Sequence, residues 1–447
     1  MPSQSTDVAK RGANVTRGES KDLTHVSGRG SREQSHAETI SGLLFLGGVF
    51  PRDEEASIVA RCRGPVQGAA NALQWSLITG LDVVMRRPIS VLNAVFVGPY
   101  PQHYSRIWIA GRRWSHAPGA RDKSIGFVNL FAVKHLWRVA ALTVSACRWS
   151  AGASSEGPRS IVIYSMHAPF LLAAAMAKAV DRSLKVCVVV PDLPEHMNLS
   201  HVGRLLRAFK AMDRWILDLV LKHMDCFVFL TRHMAERLGV AGRPWIVMEG
   251  AVNPEDANAE SWPQVPDNSL KVVLYTGTLH KAYGILDLLE AFSLVPDPTC
   301  RMWICGAGDA EPEVRSMVAR DPRVRYLGQL TRGEVLTLQR NATVLINPRG
   351  DTAEFTKYSF PSKILEYMLS GTPAIVRRLP GMPEEYFDYL FVVEGSAPAD
   401  MAKKISEVCN RPSAERVQFG ERARRFVIEQ KSCVMQAGRI LDLIRRA

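Results

Sequence analysis

Two doubly wound α/β halves facing across a cleft are the fold class this sequence predicts, and three observations predict it. From Leu43 onward, short apolar runs alternate with amphipathic ones, the pattern of parallel strands joined by crossover helices. The pattern breaks at VNPEDANAESWPQVPDNSL (252–270), which is polar and proline-rich, and a second set then begins with KVVLYTGTL. A chain of 447 residues is also too long for one ordinary core.

The elements follow in order. Residues 1–40 are rich in Ser, Gly, Thr and mixed charge with no apolar block, so a disordered tail is expected. LLFLGGVFP, from Leu43, reads as a strand entering a glycine turn, and Val66 to Gly80 as the helix that follows. SVLNAVFVG, SIVIYS, KVCVVVPD, CFVFLT and PWIVMEG continue the first set of strands. RMWICGAG, VRYLGQL, ATVLINP and PAIVRR continue the second. The expected organisation is an N-terminal domain over 41–255, a linker over 256–270, a C-terminal domain over 271–430, and a final helix over 431–447 packing back on the N-terminal domain.

Lys and Arg total 56 against 44 Asp and Glu, a formal charge of +12 that favours an anionic partner: nucleic acid, a membrane surface or a phosphorylated substrate. No nucleic-acid-binding motif is present and the basic residues are dispersed, so nucleic acid is not expected. The eight cysteines have no C-x-x-C spacing, and Cys187, Cys226 and Cys305 lie in apolar runs. Buried thiols in a reducing compartment are expected, without disulfides or a metal site. The long apolar stretches near Leu130 to Cys147 and Ala168 to Ala179 are broken by Lys134, His135 and Arg138 or are too short to span a bilayer. With no signal-peptide pattern at the start, a cytoplasmic protein is expected.

Several chemistries are disfavoured. No phosphate-binding P-loop and no G-x-S-x-G elbow occur, which argues against an NTPase or a serine hydrolase. Gly306-Ala307-Gly308 matches only the start of a dinucleotide fingerprint, position 311 being Glu, and reads as a plain strand-to-helix turn. Gly47-Gly48 and Gly277-Thr278 each follow a strand, where backbone N–H groups can approach phosphate closely. In an open α/β fold the chemistry belongs where strand carboxyl ends face the cleft.

FPSKILEYMLSGTPAI (360–375) reads as a short helix running into a buried strand. Ile364, Leu365, Met368 and Leu369 form one apolar arc, while Lys363 and Glu366 fall about 60° apart on the opposite flank, so packing requires neither charge. Glu366 is either helix-start electrostatics, one position late for a capping box on Ser362, or a carboxylate accepting from two adjacent sugar hydroxyls beside an anion-attracting helix N-terminus.

Taken together, GGVFP, HAPF, PDLPE, LTRHM, YTGTLHKAYG, ICGAG, INPRGD and FPSKILEYMLSGTPAI resemble glycosyltransferase family 4, retaining enzymes of the GT-B fold. The similarity runs over about residues 43–430 and is most specific from Asn347 to Pro383. It implies transfer of a sugar from a nucleoside diphosphate sugar to a glycan or polyprenyl-linked acceptor, as in capsule or exopolysaccharide assembly, with no cofactor beyond the donor. It also implies that Glu366 grips the nucleotide ribose, that Lys363 and the helix N-terminus face the diphosphate, and that His167, after SIVIYS, lies near the reacting sugar.

The sequence departs from the family pattern around the donor. Tyr358 stands where a second glutamate is usual, with Glu354 nearby but out of register; Thr278 replaces an arginine and Tyr283 a lysine. Lys281, Arg349 and Lys363 are the nearest basic substitutes for the diphosphate clamp, although Arg349 also reads as a strand-end cap or a partner of Asp351. Asp192, Glu195 and His196 follow KVCVVVPD and suit acceptor hydroxyls, with a rigid turn at Pro194 the competing explanation. Glu249-Gly250 reads as a turn.

Metal-independent transfer is expected, the leaving diphosphate being stabilised by Lys363, Arg349 and helix N-termini. A nucleotide-sugar epimerase of similar plan, or a non-catalytic nucleotide-sugar-binding protein, are the alternatives. GRLLRAFKAMDRWILDLVLKHMD places Arg204, Arg207, Lys210 and Arg214 along one side of a helix, which suggests peripheral binding to an anionic membrane from the cytoplasmic side.

Overall fold

The structure is a computed structural model and describes residues 40–64, 66–131, 133–152, 157–193, 214–240, 242–258, 270–351 and 354–447. The expected tail and most of the expected linker lie outside these residues, as do Glu195, His196, Arg204, Arg207 and Lys210.

Among the described residues the first half carries β1 (Gly42–Gly47), β2 (Ser90–Asn93), β3 (Trp108–Ile109), β4 (Arg112–Trp114), β5 (Asp122–Ser124), β6 (Phe127–Val128), β7 (Arg159–Tyr164), β8 (Lys185–Val190), β9 (Cys226–Phe229) and β10 (Trp245–Val247). The second carries β11 (Lys271–Thr276), β12 (Cys300–Cys305), β13 (Val324–Gly328), β14 (Val344–Asn347), β15 (Ala374–Arg377) and β16 (Phe391–Val393). The longer strands are Val-, Ile- and Leu-rich runs buried on both faces, as a parallel sheet covered by helices demands.

The first sheet has the order β10-β9-β8-β7-β1-β2-β5-β4, parallel except for β4 against β5. Val133–Ala151 and Ala168–Val180 cover one face with Leu142, Ala146, Phe170 and Leu171; Gly68–Met85 and the final helix Cys433–Arg446 cover the other with Leu77, Leu81, Ile440 and Leu441. Gly80 makes that second contact possible, because a Cβ there would overlap the carbonyl of Cys433.

The second sheet is parallel throughout, in the order β13-β12-β11-β14-β15-β16. Its strand order reverses between β11 and β14, and the first sheet reverses between β1 and β7. Crevices for ligands open at such reversals, outside the strand carboxyl ends. Segments 252–253 and 431–433 pair side by side where the chain passes between the halves: Val252 N–H donates to Lys431 O at 3.0 Å and Cys433 N–H to Val252 O at 2.8 Å.

The two doubly wound halves match the fold class expected from the alternation of runs. The short strands β3 to β6 and β16 were not anticipated: segments such as RRW and DKS carry too few residues for a two-residue period to register. All eight cysteines are free, six of them buried and Cys62 and Cys147 half-buried. No helix among the described residues is long and apolar enough to cross a membrane.

Candidate active site

The carboxyl ends of β11 and β14 carry the donor-side candidates. Helix Lys363–Ser370 follows β14, buries Ile364, Leu365, Tyr367, Met368 and Leu369, and ends at Gly371, whose φ of 76° an L side chain would strain. Glu366 lies on its flank as expected. Its Oε1 accepts from Lys363 Nζ at 2.8 Å and from Gln339 Nε2 at 2.6 Å, and Arg332 Nη1 lies 3.9 Å from its Oε2. Burial opposes its charge, but Lys363, Gln339 and Arg332 outweigh that and hold the carboxyl below the ordinary glutamate range. Gln339, fully buried, also donates from Nε2 to Thr276 Oγ1 at 2.9 Å, and the Tyr367 hydroxyl donates to Thr276 O at 3.0 Å. Glu366 is thus an ionised carboxylate fixed to the end of β11, with its Oε2 turned to the cation Arg332.

Arg349, two residues past β14, does not pair with Asp351. Its guanidinium is held by Ser359 Oγ at 2.7 Å between the rings of Tyr283, 5.0 Å away, and Phe355, 4.6 Å away. The tyrosine standing in place of the usual lysine therefore serves as a platform for this arginine. Burial pulls the Arg349 pKa down, with Tyr283 and Asp192 opposing, and its Nε is buried without a partner. Gly284, at φ 80°, leaves room for the Pro348 carbonyl that leads into this turn.

The remaining donor-side candidates make contacts within the fold. Lys281 is an exposed lysine ion-paired with Glu313, and its backbone N–H goes to Asp309. The Gly277 N–H donates to Cys305 O at 3.0 Å, and Thr278 O accepts from Tyr275 OH at 2.8 Å. The Gly48 N–H donates to buried Gln74 at 2.8 Å, and a Cβ at Gly48 would overlap the Phe96 ring. The amides of Gly48 and Gly277, expected to approach phosphate, are therefore already used inside the fold. Gly306 and Gly308 pack against the Gly277–Leu279 backbone, where Cβ atoms would overlap the carbonyls of Gly277 and Leu279; their glycine spacing is explained by packing of one turn on the next.

On the opposite wall, His167 stands at the N-cap position of the helix Ala168–Val180 after β7, with no capping bond from its ring. Its ring stacks on His135 at 5.6 Å and on Phe96 at 5.9 Å, and its Nδ1 is buried without a partner. Burial first, and then Arg138, His135 and Lys134, hold this imidazole well below its ordinary pKa, so it is neutral at physiological pH. Asp192, past β8, is exposed; its charge reaches Tyr164 on its own sheet and Arg349 on the other. Tyr358 is half-buried and packs against the first half's core, and Thr231 Oγ1 donates to Lys357 O at 2.9 Å. The two walls therefore meet beside the Arg349 turn.

Sequence reasoning missed Gln339, Arg332 and Ser359, which position Glu366 and Arg349 from outside the motif. It also took Glu249 for a turn residue. Glu249 is instead buried and accepts from Lys431 Nζ at 3.2 Å, because the chain's second passage between the halves brings a lysine to it.

Residues 270–411 match the family model described as "Glycosyl transferases group 1". Comparison with curated proteins finds no match. Among solved structures, the sucrose-phosphate synthase of Thermosynechococcus elongatus superposes with a TM-score of 0.59 at 14% identity, covering 91% of this chain and 98% of that one. HepE of Anabaena, solved in complex with UDP, gives 0.59 at 15% identity over 91% and 100%. An α,α-trehalose-phosphate synthase (UDP-forming) of Burkholderia xenovorans, in complex with glucose-6-phosphate, gives 0.60 at 12% over 90% and 100%.

The architecture is that of the GT-B class, two Rossmann-like domains across a cleft. With the group 1 domain at 270–411, the chain is a glycosyltransferase.

Proposed function

We propose that the protein transfers a sugar, with retention of configuration and without a metal, from a nucleoside diphosphate sugar held on the second half to an acceptor held on the first. The observation that carries this reading is the Glu366 site: an ionised, pre-positioned carboxylate beside the β11/β14 reversal, within the matched domain and on the helix that follows the Arg349 turn. Glu366 accepts the ribose hydroxyls, while Arg349 and Lys363 stabilise the leaving diphosphate. A desolvated guanidinium acts most strongly where charge develops, since water no longer screens it. His167, kept neutral by burial, lines the reacting sugar together with Tyr358, and Asp192 with Glu195 takes acceptor hydroxyls. Lys281, tied to Glu313, enters only if that pair opens.

The acceptor belongs to cell-surface glycan assembly of the capsule or exopolysaccharide kind, as the family 4 resemblance implies, and the protein meets it at the cytoplasmic face of the membrane. Exposed apolar side chains support that location. Trp215 (66%) and Leu219 (49%) lie one turn apart on the helix at 214–221 with Arg214, while the exposed rings of Trp108 and Trp137 meet edge-on at 5.9 Å and Leu136 (75%), next to Trp137 in sequence, is exposed as well.

The test is incubation with a panel of nucleotide sugars, with and without a membrane-lipid extract, following nucleotide release and labelled lipid. Acceptor-dependent nucleotide release supports transfer. Altered free sugar without acceptor would make the protein an epimerase, and binding without turnover would make it a sugar-nucleotide binder.

A further inference from the structure

Four basic side chains gather at the carboxyl ends of β2 and β7, on the first half's wall of the cleft. Lys134 and Arg138, one turn apart on Val133–Ala151, are 7% and 2% exposed. Lys134 Nζ donates to Val97 O at 3.4 Å and Arg138 Nη2 to Val95 O at 2.7 Å, both just past β2. His135, between them in sequence, stacks on His167 past β7.

No carboxylate balances them among the described residues. Burial pulls Arg138 down to about 9; burial and then Arg138 pull Lys134 down to about 8; burial and then both cations pull His135 down to about 4. Each carbonyl takes only one N–H of its partner, and both Arg138 Nε and His167 Nδ1 are buried without a hydrogen bond. Burying unpaired like charges is costly, and cores rarely retain them. Arg138 also lies over the Phe127 ring, 4.1 Å from its centroid, but a ring face and single carbonyl bonds do not neutralise two buried cations, and aliphatic residues would fill the same space at lower cost.

We propose that this cluster binds a phosphate group carried by the acceptor. A phosphate monoester brings nearly two negative charges and three acceptor oxygens at neutral pH, which suits two cations beside two imidazoles better than a carboxylate does. The proposal rests on reading the cleft as a glycosyl-transfer site, and it narrows the acceptor to phosphorylated compounds. Either a soluble sugar phosphate or a lipid phosphate supplies that chemistry, and the helix bearing Lys134 and Arg138 also exposes Leu136 and Trp137.

The experiment measures the thermal midpoint of the full chain against inorganic phosphate, glucose 6-phosphate and UDP. It adds flotation with phosphatidylcholine vesicles containing either phosphatidic acid, a monoester, or phosphatidylglycerol, a diester. The expected result is a response to glucose 6-phosphate or inorganic phosphate, or preferential flotation with phosphatidic acid. Lys134→Gln and Arg138→Gln should each weaken that response by roughly 10- to 100-fold, the range for a charge-assisted hydrogen bond, while UDP binding persists.

A response to soluble phosphates assigns a soluble acceptor, and one confined to phosphatidic acid assigns a lipid. UDP binding with no phosphate response in any arm, or a response unchanged in both variants, overturns the proposal. Phosphate binding without UDP binding would leave the anion site standing and remove the donor reading instead. Should Arg138→Gln fail to fold, Lys134→Gln and the wild-type arms decide.

Discussion

Lys431, the last residue of the helix Ser413–Lys431, donates to Glu249 Oε2 at 3.2 Å, so an ammonium beside the second half neutralises a carboxylate just past a strand of the first. The same ammonium reaches Glu385 Oε1 at 2.7 Å and lies over the rings of Tyr386 and Phe426. Glu249 and Lys431 are both buried, whereas Glu385 is half-exposed.

Breaking a buried pair by removing one partner costs about 3–5 kcal/mol, because the other charge is left uncompensated. Lys431→Met should therefore lower the thermal midpoint sharply, and adding Glu249→Gln should restore part of the loss. Equal midpoints for the single and double variants would show that the Glu249 pair contributes nothing beyond packing.

Glu366→Gln should leave the fold intact and weaken nucleotide binding by about 10- to 100-fold, since hydrogen bonds to a charged group contribute about 1.5–3 kcal/mol. Calorimetric titration with a series of nucleoside diphosphates reads this directly. Unchanged affinity for a nucleotide that wild type binds would remove the carboxylate from the donor site.

His167→Asn should reduce kcat more than donor affinity, because the imidazole lies on the wall opposite Glu366. A matched loss in both quantities would point to simple binding. Burial keeps His167 well below its ordinary pKa, so no step in the rate near pH 6.5 should come from its titration.

His116 predicts a pH dependence of stability. Its Nδ1 lies 2.7 Å from Asp122 Oδ2 and its Nε2 2.9 Å from Asp82 Oδ2. Burial lowers its pKa, but the two aspartates raise it to about 9. A raised histidine pKa stabilises fully below the unfolded value near 6.5, and that contribution, on the order of 3 kcal/mol, is lost as pH rises through the folded value. The thermal midpoint should fall between pH 7 and pH 10. His116→Gln should start lower and lose this fall; a parallel fall in both proteins would assign it to other groups.

Much of the plan was legible in the sequence because local patterning carries it. Runs such as KVCVVV and KVVLYT are long enough to declare strands buried on both faces, and Gly371 with Pro373 declares where the Glu366 helix must stop. Lys363 and Glu366 stood out because the helical period leaves them off the apolar arc. Lys134 and Arg138 were visible too, but as interruptions of an apolar stretch, with no hint that both reach carbonyls past β2.

By itself the sequence determined two parallel sheets with crossover helices and the charged flank of one short helix. These are properties of neighbours in the chain, set by side-chain period and turn chemistry. Only the tertiary structure decided that Gln339 orients Glu366, that Tyr283 and Phe355 flank Arg349, that Lys431 reaches Glu249, and that four basic groups share one wall. Each joins residues on different elements, so its geometry follows from strand order and from how far each chain segment is carried before it returns. The Gly48 and Gly277 amides show the same limit from the other side: a glycine after a strand announces a close approach, but only the folded chain decides whether its partner is a ligand or another part of the protein.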